Sequence, residues 1–188
     1  MKRVYLDNAA TTPLSESARA AMQHFGAERF GNADSRHSFG RDAAAALASA
    51  RSDIAGCLGA APEEIYFTSG GTEADNWALK GAAFMHGKGR VIVSAVEHPA
   101  VYESARQLER LGFALTVLPV DGEGFVCPQS LADAMGDDVF LVSVMTANNE
   151  TGSVQPVREL ADIAHSRGAL FHTDAVQAAG ALPLNVRE

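Results

Sequence analysis

The chain has 188 residues, of which 47% are hydrophobic and 20% are charged, and its formal net charge is −8. This length and composition are typical of a soluble globular protein with a sizeable core. The negative charge disfavours non-specific binding to nucleic acid or to an anionic membrane, because both require a basic surface. The sequence contains no apolar run of the kind that forms a signal peptide or a membrane span.

The two cysteines, Cys57 and Cys127, do not follow the CxxC or Cys/His spacing of metal sites. Cys57 lies among apolar residues of a predicted helix, so we expect its thiol to be buried and unreactive. These features predict a cytoplasmic protein in a reducing environment, without a metal site.

The first predicted elements are two helices separated by a loop. Residues 4–14 form a short extended run and a polar turn, and Ser15 is typical of the N-cap of a helix. A loop rich in turn-forming residues follows over 30–39. A long alanine-rich helix is predicted over 41–58, and Gly59 would end it.

From Ile65 onward, predicted strands and helices alternate. The predicted strands are 65–68, 91–95, 114–118, 139–145 and 169–173. The predicted helices lie near 73–86, 99–111, 128–135 and 157–167. Strands of nearly continuous apolar residues, separated by helices, indicate a mainly parallel sheet with helices on both faces. We therefore predict an α/β fold.

The turn Gly70-Gly71-Thr72 joins the first predicted strand to a helix. Thr72 stands where an N-cap is expected, and Asp75, three residues later, would form a variant of the capping box. Two glycines let the backbone approach a ligand, and the unpaired N–H groups of a helix N-terminus favour a phosphate. The same residues would also suit a well-capped turn that binds nothing. They match neither the dinucleotide-binding nor the P-loop motif.

Polar residues follow four of the five predicted strands, and ligands of open α/β sheets bind beyond the carboxyl ends of the strands. These residues are Gly70, Gly71, Thr72, Glu97, His98, Asn148, Asn149, Glu150, Gly152, Asp174 and Gln177. Each also has an ordinary role open to it. His98 and Asp174 could cap helices, Asn149 could form a turn, and Glu97 could be structural or solvated. Their convergence at one edge of the sheet favours a binding site.

The chemistry of this set suits a phosphorylated, planar, cationic heteroaromatic compound. Thr72 at a helix N-terminus would hold the phosphate, and His98 could stack on the ring. Asp174 would pair with a protonated ring nitrogen, while Asn149 and Gln177 would donate hydrogen bonds to a ring oxygen. Pyridoxal phosphate has this chemistry, because a protonated pyridine nitrogen makes it an electron sink.

Six segments, in order along almost the whole chain, resemble the class V aminotransferase superfamily and, within it, the cysteine desulfurases. They are 5–13 (YLDNAATTP), 30–32 (FGN), 67–76 (FTSGGTEADN), 97–98 (EH), 148–152 (NNETG) and 172–177 (HTDAVQ). The resemblance implies an incomplete large domain of a fold-type I enzyme. Residues 15–188 would form part of this cofactor-binding domain, and residues 1–14 would lie near the active site.

The resemblance also implies a homodimeric enzyme that uses pyridoxal phosphate to take sulfur from L-cysteine. The products would be alanine and an enzyme persulfide, whose sulfur would pass to an acceptor protein for iron–sulfur cluster assembly or thiolation. The cofactor-binding residues would be Gly71, Thr72, His98, Asn149, Asp174 and Gln177. His98 would also transfer protons as the catalytic residue. Residues 7–12 and Asn32 would lie near the substrate.

Two functional groups of the family have no counterpart in this sequence. The Schiff-base lysine and the persulfide-forming cysteine would lie beyond Glu188. Neither is matched by the lysines and cysteines present, which are Lys2, Lys80, Lys88, Cys57 and Cys127. We therefore expect an N-terminal half of a desulfurase that is inactive alone. The alternatives are another class V enzyme, such as a selenocysteine lyase or an aminotransferase, and a non-catalytic binding subunit.

Overall fold

The computed structural model describes residues 3–187, so Met1, Lys2 and Glu188 lie outside the described residues. The chain divides into two compact units. Within the described residues, the first unit contains 3–67 and 184–187, and the second contains 68–183. Each unit is described separately below.

In the first unit, helix α1 spans Glu16–Ala27. Its predicted N-cap is confirmed, because the Ser15 side chain accepts a hydrogen bond from the Ala18 amide at 3.2 Å. Helix α2 spans Ser38–Leu58 and begins three residues before the predicted start. The reason is the N-cap His37, whose ring nitrogen Nδ1 accepts a hydrogen bond from the Gly40 amide at 3.3 Å. A histidine N-cap was not expected from the sequence.

Helix α2 ends at Gly59, which has φ +69°, a left-handed conformation that glycine adopts at low cost. This end was predicted correctly. A short 3₁₀ turn, Pro62–Glu64, follows.

The predicted strand 65–68 is not formed in the structure. A strand needs a neighbouring strand for its backbone hydrogen bonds, and none pairs with this segment in the described part of the chain. Tyr66 and Phe67 are exposed rather than buried in a sheet. The segment is held instead by Arg51 of α2, which donates a hydrogen bond to the Ile65 carbonyl oxygen and lies 4.9 Å from the centre of the Phe67 ring.

The expectation of a buried Cys57 is wrong. Cys57 is an exposed free cysteine, as is Cys127. Among the residues of α2, only Gly40 and Ala55 are buried, so the apolar pattern of this helix does not correspond to a buried face within the unit.

The second unit contains a four-stranded parallel sheet, which confirms the α/β fold. The strands are β1 (Arg90–Ser94), β2 (Ala114–Leu118), β3 (Val139–Ser143) and β4 (Leu170–His172). Their order in the sheet is β2-β1-β3-β4, and all neighbours are parallel. These four strands correspond to the four predicted after residue 68.

Four helices accompany the sheet. They are α3 (Gly71–His86), α4 (Pro99–Arg110), α5 (Pro128–Ala134) and α6 (Val157–Ser166). Each lies within two residues of its predicted bounds. No helix in the range 3–187 combines the length and apolarity needed to cross a membrane.

Two hydrophobic clusters lie on opposite faces of the sheet, because successive side chains of a strand point to opposite faces. Ile92 of β1 packs in one cluster with residues of α5 and α6, including Leu131 and Leu160. Its neighbours Val91 and Val93 pack in the other cluster with residues of α3 and α4. The sheet is thus covered on both faces, as the sequence predicts.

Candidate functional site

Helix α3 begins one residue before Thr72, so the prediction that Thr72 is the N-cap is wrong. Gly70 is the N-cap, and Thr72 is the second helical residue, exposed to solvent. No side chain among residues 3–187 caps this helix. Glu73 instead ties the helix to the residue before the N-cap, because its Oε2 accepts hydrogen bonds from the amide and the hydroxyl of Ser69 at 2.7 and 2.6 Å. These bonds lower the pKa of Glu73.

Gly71 lies at a close approach between the start of α3 and the turn that follows β4. A Cβ atom at position 71 would come within 2.9 Å of Cγ2 of Val176. Real Cβ atoms essentially never have such a contact, so any other residue at position 71 would require the Val176 side chain or the turn that carries it to shift. The glycine therefore brings the helix N-terminus against the segment that carries Asp174 and Gln177.

Asp75 does not take part in a capping box, because its side chain points into the unit and the residue is only 4% exposed. Its Oδ1 lies 3.6 Å from Nε2 of His172 at the end of β4. The other ring nitrogen of His172, Nδ1, is hydrogen-bonded to the hydroxyl of Ser143 in β3 at 2.8 Å. This chain of contacts, the Asp75–His172–Ser143 relay, connects the first turns of α3 to β3 and β4.

His98 is the N-cap of α4, and the capping role predicted as one alternative is confirmed. Its Nδ1 accepts a hydrogen bond from the Ala100 amide at 3.1 Å. In a neutral imidazole this bond places the proton on Nε2. The residue is exposed and lines a cavity of about 330 Å³ together with Thr72 and Asn76 of α3 and residues of α4. Capping holds the ring while its second nitrogen remains able to act on a ligand.

Glu97, next to His98, is partly buried and is held by two hydrogen bonds. Its Oε1 accepts hydrogen bonds from the Ser94 hydroxyl at 2.5 Å and from the Met145 amide at 2.8 Å. Its Oε2 is buried and has no hydrogen-bond partner among the described residues. The pKa of Glu97 is raised to about 7, mainly by burial; the two hydrogen bonds oppose this rise, and the nearby charges of Asp174 and Asp75 add to it.

The Asn148-Asn149 segment forms the predicted turn after β3. Asn148 is 8% exposed, and its Oδ1 accepts hydrogen bonds from the amides of Glu150 and Thr151 at 2.8 and 2.9 Å. Its Nδ2 donates to the Val96 carbonyl oxygen at 3.0 Å and so ties the turn to the end of β1. Asn149 is partly exposed, and no hydrogen bond of its side chain is found within residues 3–187.

Asp174 follows β4 and is 8% exposed. Its Oδ1 accepts a hydrogen bond from the Val176 amide at 2.9 Å, and its carbonyl oxygen accepts one from the Thr146 amide at 2.9 Å. The expected helix after Asp174 is not formed. Residues 176–178 form a turn, which contains the half-buried Gln177. The carboxylate therefore stabilises a turn instead of capping a helix.

Sequence reasoning missed three polar residues of this region: Asp75, Glu97 and His172. Asp75 was assigned to a cap, Glu97 to a structural or solvated role, and His172 had no role assigned. A charged residue inside a helix with a small apolar face was the available signal for Asp75. For Glu97 and His172, the signal was their position just after β1 and at the end of β4.

The six predicted site residues lie in the second unit, on segments that contact one another. The start of α3 touches the turn after β4 through Gly71 and Val176. The turn after β1 is bonded to the segment after β3 through Glu97 and Asn148. Thr72 and His98 line one cavity. Residues 7–12 and Asn32 lie in the first unit, and their place near a substrate stays a prediction.

The sequence profile of the family described as Aminotransferase class-V matches residues 4–188. The chain is similar to a protein named Cysteine desulfurase IscS from Dictyoglomus turgidum, with 52% identity over all of this chain and 48% of the relative. It is 48% identical to a protein of the same name from Methanosarcina thermophila, over all of this chain and 47% of the relative. The chain thus spans about half the length of these curated relatives.

Solved structures show the same likeness. A structure titled "NIFS-LIKE PROTEIN" superposes with a TM-score of 0.95 at 39% identity, over all of this chain and 52% of that one. A structure titled "SspA in complex with cysteine" has a TM-score of 0.93 at 36% identity, over 97% of this chain and 53% of that one.

Proposed function

Since the chain belongs to the class V aminotransferase family, we propose that it carries the cofactor-binding residues of a cysteine desulfurase that depends on pyridoxal phosphate. The observation that carries this proposal is the convergence of polar groups from α3 and from the ends of β1, β3 and β4 in one unit. The likeness to relatives named cysteine desulfurase supports the choice of reaction.

The side chains present fit pyridoxal phosphate. The first N–H groups of α3 have no partner within the helix, and its dipole favours an anion at this end. Thr72 adds a hydroxyl that does not serve as the cap. Gly71 keeps the helix start close to the turn that carries Asp174. The anion-binding N-terminus of α3 suits the cofactor's phosphate, and the nearly buried Asp174 carboxylate suits its protonated ring nitrogen.

When bound, pyridoxal phosphate withdraws electrons from bonds at the α-carbon of an amino acid. Asp174 would hold a proton on the ring nitrogen, which its fixed and nearly buried carboxylate is suited to do. The amides of Asn149 and Gln177 would donate hydrogen bonds to the phenolic oxygen. His98 would stack on the ring and hold or move a proton at Nε2, because its Nδ1 is occupied by the cap.

We further propose L-cysteine as the substrate and a sulfur-acceptor protein as the partner, in a cytoplasmic homodimer that supplies sulfur for iron–sulfur clusters or thiolation. In support, a similar structure is titled as a complex with cysteine. The lysine that anchors the cofactor and the cysteine that accepts sulfur would be supplied by residues other than the three lysines and two cysteines of this sequence.

Titration of pyridoxal phosphate into the purified chain, followed by absorbance and fluorescence, tests the binding site. We expect Thr72→Val and Asp174→Asn to raise the Kd about tenfold each, because each loses a hydrogen bond to a charged group. The exposed Asp162→Asn on α6 is the matched control and should leave the Kd unchanged. Equal affinity in all three variants would place the binding site elsewhere.

Alanine release from L-cysteine tests the reaction. We expect none from the 188-residue chain alone. Alanine should form after the chain is combined with a polypeptide that corresponds to the second half of the Dictyoglomus turgidum relative. Turnover by the chain alone would contradict the proposal that the lysine and the thiol come from other residues.

A further inference from the structure

Glu97 is a partly buried acid, with one fully buried carboxylate oxygen, for which the proposed function has no use. Its carboxyl group lies where the ends of β1 and β3 meet: Oε1 takes hydrogen bonds from Ser94, the last residue of β1, and from the amide of Met145, two residues beyond β3. Between the same two segments, Asn148 donates to the carbonyl oxygen of Val96 at 3.0 Å. Glu97 and Asn148 together form a clip that joins the turn before His98 to the turn that carries Asn149.

The unpartnered Oε2 indicates the protonation state of Glu97. A buried carboxylate oxygen without a donor is costly, since it has lost its hydration and gained nothing in exchange. A neutral carboxylic acid avoids most of this cost and keeps Oε1 as the acceptor for Ser94 and Met145. The orphaned oxygen is therefore better explained by a protonated Glu97 than by an ionised one.

The charges around Glu97 act in the same direction. Asp174, after β4, and Asp75, on α3, are the acids whose charges raise its pKa. Asp75 has His172 as a neighbour, 3.6 Å away. The adjacent His98 is turned to its cap, with Nδ1 bonded to the Ala100 amide. Ionisation of Glu97 would add a third negative charge to the two carboxylates.

We propose that Glu97 is a positioning residue that joins the ends of β1 and β3 as a neutral carboxylic acid and so holds His98 and the Asn149 turn in place. Ionisation of Glu97 near neutral pH adds a negative charge near Asp174 and Asp75. The clip itself does not depend on the proposed function. Its consequence for the cofactor does, because that consequence requires pyridoxal phosphate to bind at these residues.

Glu97→Gln and Glu97→Ala, made in the full chain, separate neutral hydrogen bonding from its loss. Glutamine keeps an acceptor oxygen without a charge, whereas alanine removes it. Hydrogen exchange at the Met145 amide should be about tenfold faster in Glu97→Ala, as expected for the loss of one hydrogen bond, and close to wild type in Glu97→Gln. Glu109→Gln, an exposed glutamate near the end of α4, is the matched control.

Affinity for pyridoxal phosphate, measured at about pH 6 and about pH 8, tests the charge state. We expect the ratio of the Kd values at the two pH values to differ by about three- to tenfold between the wild-type chain and Glu97→Gln, and we expect Glu109→Gln to behave as wild type. Titration of the cofactor itself affects all variants equally, so the difference between variants isolates Glu97.

Three outcomes decide the matter. Unchanged exchange at Met145 in Glu97→Ala would overturn the clip. Exchange in Glu97→Gln as fast as in Glu97→Ala, or an identical pH dependence of binding in Glu97→Gln and wild type, would overturn the neutral acid. Absence of any cofactor binding would count against the proposed function, while the exchange measurements would still test the clip.

Discussion

The two units differ in how much of their apolar surface they bury by themselves. The second unit encloses two hydrophobic clusters, one on each face of its sheet. In the first unit, α1 contains no buried residue and α2 contains two, while many large apolar side chains are exposed. Examples are Leu6, Met22 and Phe30. Large exposed apolar surface is typical of regions that pack against another protein surface.

Buried polar groups follow the same division. All buried polar residues among the described ones lie in the second unit: Asp75, Ser94, Ser104, Ser143, Thr146, Asn148, Gln155 and Asp174. Burying such groups is costly unless they are hydrogen-bonded, so a protein core contains few of them without a reason. Several of them lie at the carboxyl ends of β1, β3 and β4, where the candidate site is. The second unit therefore contains both the two hydrophobic clusters and the candidate site.

The largest expected difference between the units is in core truncation. Ile92 is 0% exposed in β1, and Ile54 of α2 is 38% exposed. We expect Ile92→Ala to lower the free energy of unfolding by about 2–5 kcal/mol, through lost burial and a cavity. Ile54→Ala should lower it by less than about 1 kcal/mol. Urea unfolding followed by circular dichroism measures both. Equal losses would show that the first unit has a core of its own.

A smaller effect is expected from the partly buried acid Glu97. The folded-state pKa of Glu97 is raised to about 7 from 4.5, so the folded chain keeps a proton that the unfolded chain releases. Stability from this group is full below about pH 4.5 and falls as the pH rises toward about 7, by at most about 1.4 kcal/mol per pH unit. Glu97→Gln should remove this fall.

The control in the first unit is Glu63→Gln, since Glu63 is exposed. This variant should keep the wild-type dependence of unfolding free energy on pH. Denaturant midpoints measured across this pH range compare the three proteins. A parallel course for wild type and Glu97→Gln would show that Glu97 titrates as an exposed acid does, and would remove one difference between the units.

The fold of the second unit was predictable mainly because its two central strands, β1 and β3, are almost wholly buried. Continuous apolar runs such as 139–143 identify such strands without knowledge of their partners. The segment 65–68 has a similar run but no neighbouring strand in the described residues, and sequence alone does not reveal whether a partner exists. Cys57 was misplaced for a related reason: an apolar helix face predicts burial but does not say against what.

The sequence predicted which segments carry the candidate site better than it predicted the side-chain contacts within it. The rule that ligands bind at the carboxyl ends of parallel strands selected His98 and Asp174, which follow β1 and β4, whereas Thr72 was selected as following the strand 65–68, which is not formed. The rule did not reveal that Glu73 bonds Ser69 or that Glu97 bridges two strand ends, because both contacts depend on side-chain positions across turns. Long-range pairs such as Ser143 and His172, 29 positions apart, leave no local sequence pattern.

The smallest effect in this series concerns two histidine–acid pairs, one in each unit. His172 and Asp75 are a nearly buried pair in the second unit, while His24 and Glu28 of the first unit, 3.0 Å apart, are exposed. We expect His172→Ala to lower the free energy of unfolding by about 1–3 kcal/mol, because it leaves the Ser143 hydroxyl and the Asp75 carboxylate buried without their partner. His24→Ala should change it by less than about 1 kcal/mol, since solvent already screens that pair.

Urea unfolding gives both free energies, and hydrogen exchange in the first turn of α3 shows whether the loss is local. Exchange there should accelerate in His172→Ala and stay unchanged in His24→Ala, because the Asp75–His172–Ser143 relay holds the start of α3 to β4 and β3. A loss of stability without faster exchange at α3 would mean that His172 contributes only to packing. Equal, small losses in both variants would mean that the second unit gains nothing from burying its polar pair, and the contrast between the units would then depend on apolar burial alone.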